Sequence, residues 1–384
     1  MSARSSTSVP TMPAVKVVQA NKAYWPHLGG IETVARDLAE GVRDRGWESV
    51  VVVAAEGTRT EHDIVDGVRV ERAGTWLSRR SIRVSPDYPQ LLLRERADVL
   101  HVHVPAVLPE LTLAALTDAA VRRRFGRLIV SWHSDVVRQR QAAKLYRPVV
   151  QRLLDRADHV IVATPHHVTS SAWLSEYQGK VAVVPFGVNV DSLHLREGET
   201  GQVDALRERY GPFALFLGRL VYYKGVPELL AAAAGLAAGR VVMVGEGPLE
   251  PEVRSSPAFL GGRVTLLAPV SDTEKRLLLN AADVLVLPSV ANSEAYGIVQ
   301  VEAMACGTPV VTFDLPTGVT WVNRPGDTGL VVPLGDINGL AAALDLLLTD
   351  ETLRARLGSS AQDRVVRELT LDAQRAATFA LYEC

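Results

Sequence analysis

Short, almost uninterrupted runs of Val, Leu and Ile recur along nearly the whole chain and alternate with longer amphipathic stretches. This alternation constrains the fold more than any other feature. A strand with one face in water alternates apolar and polar residues, whereas a run apolar at every position must be buried on both faces. Parallel sheets covered by helices meet that demand. Strands are expected at 15–20, 50–54, 68–72, 99–102, 128–131, 160–163 and 181–184, and again at 214–217, 241–244, 264–266, 284–287 and 310–313. Helical patterns at 31–45, 108–123, 142–156, 226–238, 272–281, 299–305 and 337–348 supply the covers. Repeated βα units of this kind wind into α/β domains with ligand sites beyond the C-terminal ends of the strands.

A chain of 384 residues, 47% hydrophobic, exceeds one such domain and suits two of about 150–200 residues each. The expected organisation is a flexible tail at 1–13, a first domain at 14–190 and a second at 191–384. Pro and Gly break the pattern at Pro185-Phe186-Gly187-Val188-Asn189, and the polar stretch 196–202 reads as a linker. A last helix at 371–382 is expected to pack back on the first domain. No internal repeat of 20–50 residues is visible.

Composition excludes several classes. Charged residues make up 22%, which suits a packed protein rather than disorder. The two cysteines, Cys306 and Cys384, have the spacing of neither a disulfide framework nor a metal site, so a reducing cytoplasm is the natural compartment. The Ser/Thr/Pro-rich start lacks the apolar core of a signal peptide, and no run approaches the roughly 18 apolar residues of a membrane span. The net charge of −2 hides an asymmetry: through Val190 there are 25 Lys+Arg and 19 Asp+Glu, and afterwards 16 and 24. A basic first half suggests an anionic partner there. Its clusters are Arg79, Arg80 and Arg83, and Arg122, Arg123 and Arg124, although solvated helix faces account equally well for any one of them. Nucleic acid is not expected, since the chain is slightly acidic and has no basic–aromatic motif.

The chemistry-bearing residues fall in strand-to-helix loops. Gly29-Gly30 follows the first strand and opens a helix, where backbone N–H groups and the helix start favour an anion; a tight turn is the equal alternative. Gly218-Arg219-Leu220-Val221-Tyr222-Tyr223-Lys224-Gly225 follows the first strand of the second half. Arg219 offers a planar fork and Lys224 a mobile point charge, together able to neutralise a diphosphate. Glu294 in a loop and Glu302 on the following helix are eight residues apart, with Tyr296, Gly297, Ile298 and Val299 between them at the helix start. A carboxylate that accepts from paired hydroxyls is a usual way to hold a sugar.

The Glu294–Glu302 pattern, the sequel Glu-Ala-Met-Ala-Cys-Gly-Thr-Pro-Val-Val, the Gly218–Gly225 motif, Val244-Gly245-Glu246-Gly247-Pro248 and Pro185-Phe186-Gly187-Val188-Asn189 together resemble glycosyltransferase family 4. The resemblance runs from Val15 to Tyr382. It implies a GT-B fold, two doubly wound Rossmann-like domains facing across a cleft, and retention of anomeric configuration. It also implies no cofactor and no metal, in line with the missing Asp-x-Asp. By position, Arg219 and Lys224 would bind the donor diphosphate, with Gly29, Gly30, Gly218 and the amides of Tyr296, Gly297, Ile298 and Val299 beside it. Glu302 would hold the ribose, Glu294 the donor sugar, and His133, in Ser131-Trp132-His133-Ser134-Asp135, would be the active-site histidine. Tyr24, His27, Asp135 and Arg138 are the candidate acceptor contacts.

The function implied is transfer of a hexose from a nucleotide diphosphate sugar, GDP-mannose ahead of a UDP-sugar. The acceptor would be a lipid-linked oligosaccharide, reached by a cytoplasmic protein in peripheral contact with the anionic inner face of the cell membrane. A soluble cyclitol or sugar acceptor in secondary metabolism is the alternative. A nucleotide-sugar epimerase of the same fold and an inactive nucleotide-binding module follow behind.

Overall fold

The structure, a computed structural model, describes residues 15–26, 29–79, 82–134 and 140–384; the expected tail, Arg80, His27, Asp135 and Arg138 lie outside them. The chain forms two compact units, Met1–Ile161 with Leu381–Cys384, and Val162–Ala380.

Every expected strand is present. The first sheet uses β1 (Lys16–Ala20), β2 (Glu48–Ala54), β3 (Glu61–Val65), β4 (Val68–Ala73), a small separate hairpin β5 (Leu77–Arg79) and β6 (Ile82–Val84), then β7 (Ala97–Val104), β8 (Phe125–Trp132), β9 (His159–Val162) and β10 (Val181–Val183). Leaving the hairpin aside, the order is β10-β9-β8-β7-β1-β2-β4-β3. β1 is parallel to both β2 and β7, so connections leave in opposite directions on either side of it. Val17, Val18, Val50, Val51, Val52, Val53, Val99, Leu100 and Val102 are fully buried, as runs covered on both faces must be.

The second unit holds β11 (Phe213–Leu217), β12 (Arg240–Val244), β13 (Val264–Leu267), β14 (Val284–Leu287), β15 (Val310–Phe313) and β16 (Gly329–Val332), in the order β13-β12-β11-β14-β15-β16. All pairings are parallel. This is the strand order of a nucleotide-binding Rossmann sheet, with its topological switch between β11 and β14. Ligands of such sheets bind at that switch, beyond the strands' C-terminal ends.

Of the departures from expectation, four have a local reason. The helix expected at 108–123 is two, Leu108–Ala114 and Asp118–Arg122; the Thr117 hydroxyl accepts from the Ala120 N–H (3.3 Å) and starts the second. β3, with the polar sequence Glu-His-Asp-Ile-Val, pairs antiparallel with β4 at the sheet edge, exposed on both faces and with its outer backbone edge left to water. The long helix Glu351–Glu368 went unseen because Gly358-Ser359-Ser360 interrupts its pattern. The stretch 196–202 is no loose linker: the Thr200–Tyr210 helix begins inside it, and buried Glu199 pairs with Arg276.

Candidate functional site

Glycines shape the loop after β11. Gly225 has φ +69°, and a Cβ there would stand 1.8 Å from the Pro288 carbonyl oxygen. Gly245 and Gly247 have φ +146° and +157°, and a Cβ on either would strike the carbonyl of Gly218 or Leu220. The Val244–Pro248 motif is therefore a buttress: the Leu220 N–H donates to the Glu246 carbonyl (2.8 Å) and the Leu249 N–H to that of Leu220 (3.1 Å). A short turn, Tyr222–Lys224, then ends at Gly225, and the Val226–Ala234 helix follows. Arg219 stands exposed on this loop.

The loop after β14 meets it across the switch point. The Val290 N–H donates to the Tyr223 carbonyl (2.9 Å), which ties the loops together. The Lys224 ammonium lies 2.5 Å from a carboxylate oxygen of Glu294, which is 8% exposed and also accepts from the Ser289 hydroxyl (3.2 Å). Gly297, at φ +71°, caps the Ile298–Ala305 helix without any side-chain hydrogen bond, so the first-turn amides of Ile298 and Val299 have no intrahelical acceptor. Such a helix end favours an anion. On the next turns Glu302 accepts from the Lys275 ammonium (2.9 Å). Lys275, on the Asp272–Ala281 helix, escaped the sequence reading because a single lysine on an amphipathic helix carries no signal. Arg219, Lys224, Glu294 and Glu302 thus line one end of one sheet, in two loops and the helix that follows the second.

The expectation for Tyr296 concerns its backbone amide, and its side chain serves the fold. Its ring is 4% exposed and packs edge-on to Phe186, and its hydroxyl donates to the Phe186 carbonyl (2.8 Å). Burial raises its hydroxyl pKa well above the ordinary tyrosine value. The side chain anchors the loop, which leaves only its backbone for a ligand.

In the first unit, Gly29 is extended (φ −175°) and caps the Gly30–Asp44 helix without a side-chain bond. Nothing stands within 4 Å of where a Cβ on Gly30 would be. His133, 5% exposed, follows β8, and its Nε2 lies 2.9 Å from Nδ1 of His103 on β7. His103 Nε2 lies 2.8 Å from the side-chain amide of Gln19 on β1. His101, two residues earlier on β7, bonds the hydroxyls of Tyr382 (2.6 Å) and Ser131 (2.7 Å). Sequence reasoning singled out His133 alone. The His-x-His spacing of His101 and His103 on one strand face was the available signal.

Glu110 sits fully buried on the Leu108–Ala114 helix just past β7, where Val107 has φ +73°. Burial pushes its carboxyl up to about 7, only partly opposed by the backbone N–H groups of Ala106 and Val107 and the Tyr146 hydroxyl. Its pKa rises on folding, so the folded chain holds the extra proton between pH 4.5 and about 7. Stability should fall as pH climbs through that window, by up to about 3 kcal/mol, since the charged form must stay buried. Glu110→Gln mimics the protonated acid. It should match the wild type near pH 5 and exceed it at pH 8.5 in urea melts. An identical difference at both pH values would refute this account.

Tyr24, expected at the acceptor, is 1% exposed and packs with Ala39, Val51, Val53, Val68 and Val70, so its ring belongs to the core. The basic clusters also change meaning. Arg83 donates to the Ala54 carbonyl (2.9 Å), Arg122 to both Asp158 oxygens (2.7 and 2.9 Å), and Arg124 to the Leu93 carbonyl. These three side chains brace the fold, while Arg122 and Arg123 remain exposed. Cys306 is a free thiol whose pKa burial raises to about 12. Among the described residues, no group of three His, Cys, Asp or Glu could hold a metal, and no helix is long and apolar enough to cross a membrane.

Comparison with known proteins adds the following. Residues 28–192 match the family described as Glycosyltransferase Family 4, and residues 204–364 match Glycosyl transferases group 1. The chain is 30% identical over 383 residues to the O-antigen chain mannosyltransferase C of Escherichia coli, covering 96% of this chain and 98% of the relative. It is 32% identical to the D-rhamnosyltransferase WbpZ of Pseudomonas aeruginosa, covering 91% of each. It is also 32% identical to a phosphatidyl-myo-inositol mannosyltransferase of Mycolicibacterium smegmatis, covering 88% of this chain and 86% of that one. Among solved structures, sucrose-phosphate synthase from Thermosynechococcus elongatus superposes with a TM-score of 0.76 at 22% identity, covering 96% and 98% of the two chains. Anabaena HepE in complex with UDP-glucose gives 0.73 at 19% identity, covering 96% and 100%. Both share the fold, two Rossmann-like domains of the GT-B type.

Proposed function

The chain belongs to glycosyltransferase family 4 and is a glycosyltransferase, and from that premise we propose that it transfers a hexose, with retention, from a nucleotide diphosphate sugar to a hydroxyl of a lipid-linked glycan. One observation carries the reading: Lys224 and Glu294 meet at 2.5 Å at the switch point between β11 and β14, beside exposed Arg219 and the open Ile298–Ala305 helix start. Cations and amides there match a diphosphate, and two carboxylates match the hydroxyls of ribose and hexose. In this reading, Arg219, Lys224 and the amides of Ile298 and Val299 hold the diphosphate. Glu302 holds the ribose and Glu294 the donor sugar, with His133 beside that sugar and Gly29 and Gly30 close to the phosphates.

Cleavage of the anomeric C–O bond builds positive charge on the sugar and negative charge on the departing phosphate. Fixed cations and amides stabilise that charge most where it grows most. The departing phosphate, on the face that the acceptor attacks, takes the proton of the acceptor hydroxyl. No metal is invoked, because the two cations do the neutralising. GDP-mannose is preferred as donor and a lipid as acceptor. Support comes from the mannosyl relatives, one named for phosphatidyl-myo-inositol. A soluble cyclitol or sugar is the alternative acceptor.

The test is a screen of GDP- and UDP-sugars with and without acceptor lipid, read by released nucleotide in excess chelator. Acceptor-dependent release of GDP is expected. An epimerised donor without acceptor, or activity abolished by chelator and restored by Mg²⁺, would overturn the reading. Within it, Glu302→Gln should weaken nucleoside diphosphate binding in calorimetry. Glu294→Gln should spare that binding and lower transfer. Equal loss of binding in both variants would refute this division.

A further inference from the structure

His101, His103 and His133 form a stack in the first unit, with ring centroids 4.5 and 5.2 Å apart. Hydrogen-bond partners assign the protons along it. The Gln19 amide satisfies its surroundings in one orientation: its oxygen accepts from the Ala39 N–H (2.8 Å), and its NH₂ donates to the Ala35 carbonyl (3.2 Å) and to His103 Nε2 (2.8 Å). His103 must then offer a lone pair at Nε2. Burial, aided by His101, holds its pKa well below the usual value, so the ring is neutral and its one proton sits on Nδ1. That Nδ1–H points at His133 Nε2, 2.9 Å away. A proton on His133 Nε2 would meet it head on.

We propose that Gln19 and His103 are positioning residues that fix His133 as the Nδ1–H tautomer. The proposal rests on the placement of His133 at the donor sugar given above. Gln19 adds a mechanical link. It bonds the carbonyl of Ala35 and the amide of Ala39, the two groups that an undisturbed helix would join to each other. Those residues lie on the Gly30–Asp44 helix, whose start is the Gly29-Gly30 loop. One amide therefore touches both the histidine chain and the helix that begins at Gly30. Three consecutive donor-to-acceptor choices, beginning at a helix backbone, decide which face of one imidazole carries hydrogen.

The full-length protein, labelled with ¹⁵N-histidine, should show His133 protonated at Nδ1 and bare at Nε2 in long-range ¹H–¹⁵N spectra, with the signal assigned by its loss in His133→Ala. Gln19→Glu replaces a donor with an acceptor, so His103 must protonate Nε2 and His133 should switch to Nε2–H. His103→Leu should lower kcat by about tenfold to a hundredfold while leaving nucleoside diphosphate affinity unchanged. His103→Asn keeps an N–H near Nδ1 and should retain most of the wild-type kcat. An Nε2–H tautomer in the wild type, or full kcat in a folded His103→Leu, would overturn the proposal. A wild type that transfers no sugar at all would strike the proposed function instead, and the spectra would still decide the tautomer.

Discussion

Lys224→Ala is expected to lower kcat by about a hundredfold, the scale seen when one preorganised electrostatic stabiliser is lost. Lys224 is rigidly placed: Gly225 ends its turn against the Pro288 carbonyl, and Glu294 holds its ammonium at 2.5 Å. A cation fixed before reaction costs no reorganisation when the leaving phosphate gains charge. Arg219→Ala should act in the same direction, and the double variant should fall further. Lys224→Arg should not rescue, because a planar fork cannot replace a compact ammonium beside Gly218, whose Cβ position lies 3.7 Å from Lys224 Nζ. Single-turnover rates with saturating donor are the measurement. Near-normal turnover in the double variant would remove the clamp from the mechanism.

Gly225→Ala should have the largest effect on stability. The methyl group would meet a backbone oxygen at 1.8 Å, and the residue would keep φ +69°. Neither the Pro288 carbonyl nor the turn can yield cheaply, since Val290 and Tyr223 are hydrogen-bonded next to them. Strain at such a site places the loss at about 3 kcal/mol or more. That corresponds to roughly 6–12 °C in melting temperature for a unit of this size. Nucleoside diphosphate affinity should fall with it, because the same backbone holds Lys224. A melting temperature within about a degree of wild type would show that the turn is more pliable than its contacts imply.

Much of this fold was legible because its strands are buried on both faces, which writes them as bare apolar runs. Val50–Val53 and Val284–Leu287 leave no other reading. What escaped were elements whose burial is partial or whose reason is tertiary. β3 is an edge strand with polar residues, and Glu351–Glu368 contains a glycine because Gly358 lies against the Gly307 carbonyl. The site divides the same way. Loop position and residue type pointed to Arg219, Lys224, Glu294 and Glu302. Pairings such as Lys224–Glu294 and Lys275–Glu302 join residues 70 and 27 apart in sequence and follow only from topology. Tyr24 misled because an aromatic in a loop reads alike whether it greets a ligand or seals the core. Gln19 and His103 were hidden inside strands, where polar residues usually only satisfy each other.

The Lys224–Glu294 pair has a bearing on the end of the catalytic cycle. In the resting protein the ammonium already has an anionic partner, held by Ser289 and largely shielded from water. A diphosphate entering here, as proposed, would exchange one counter-ion for another. In the proposed reading, Glu294 turns to the donor sugar and becomes available to the lysine again once the sugar has gone. Glu294 would then compete with the spent nucleotide as an intramolecular ligand. On that reading the pair would make departure of the leaving group an intramolecular displacement, the protein carrying its own eluent.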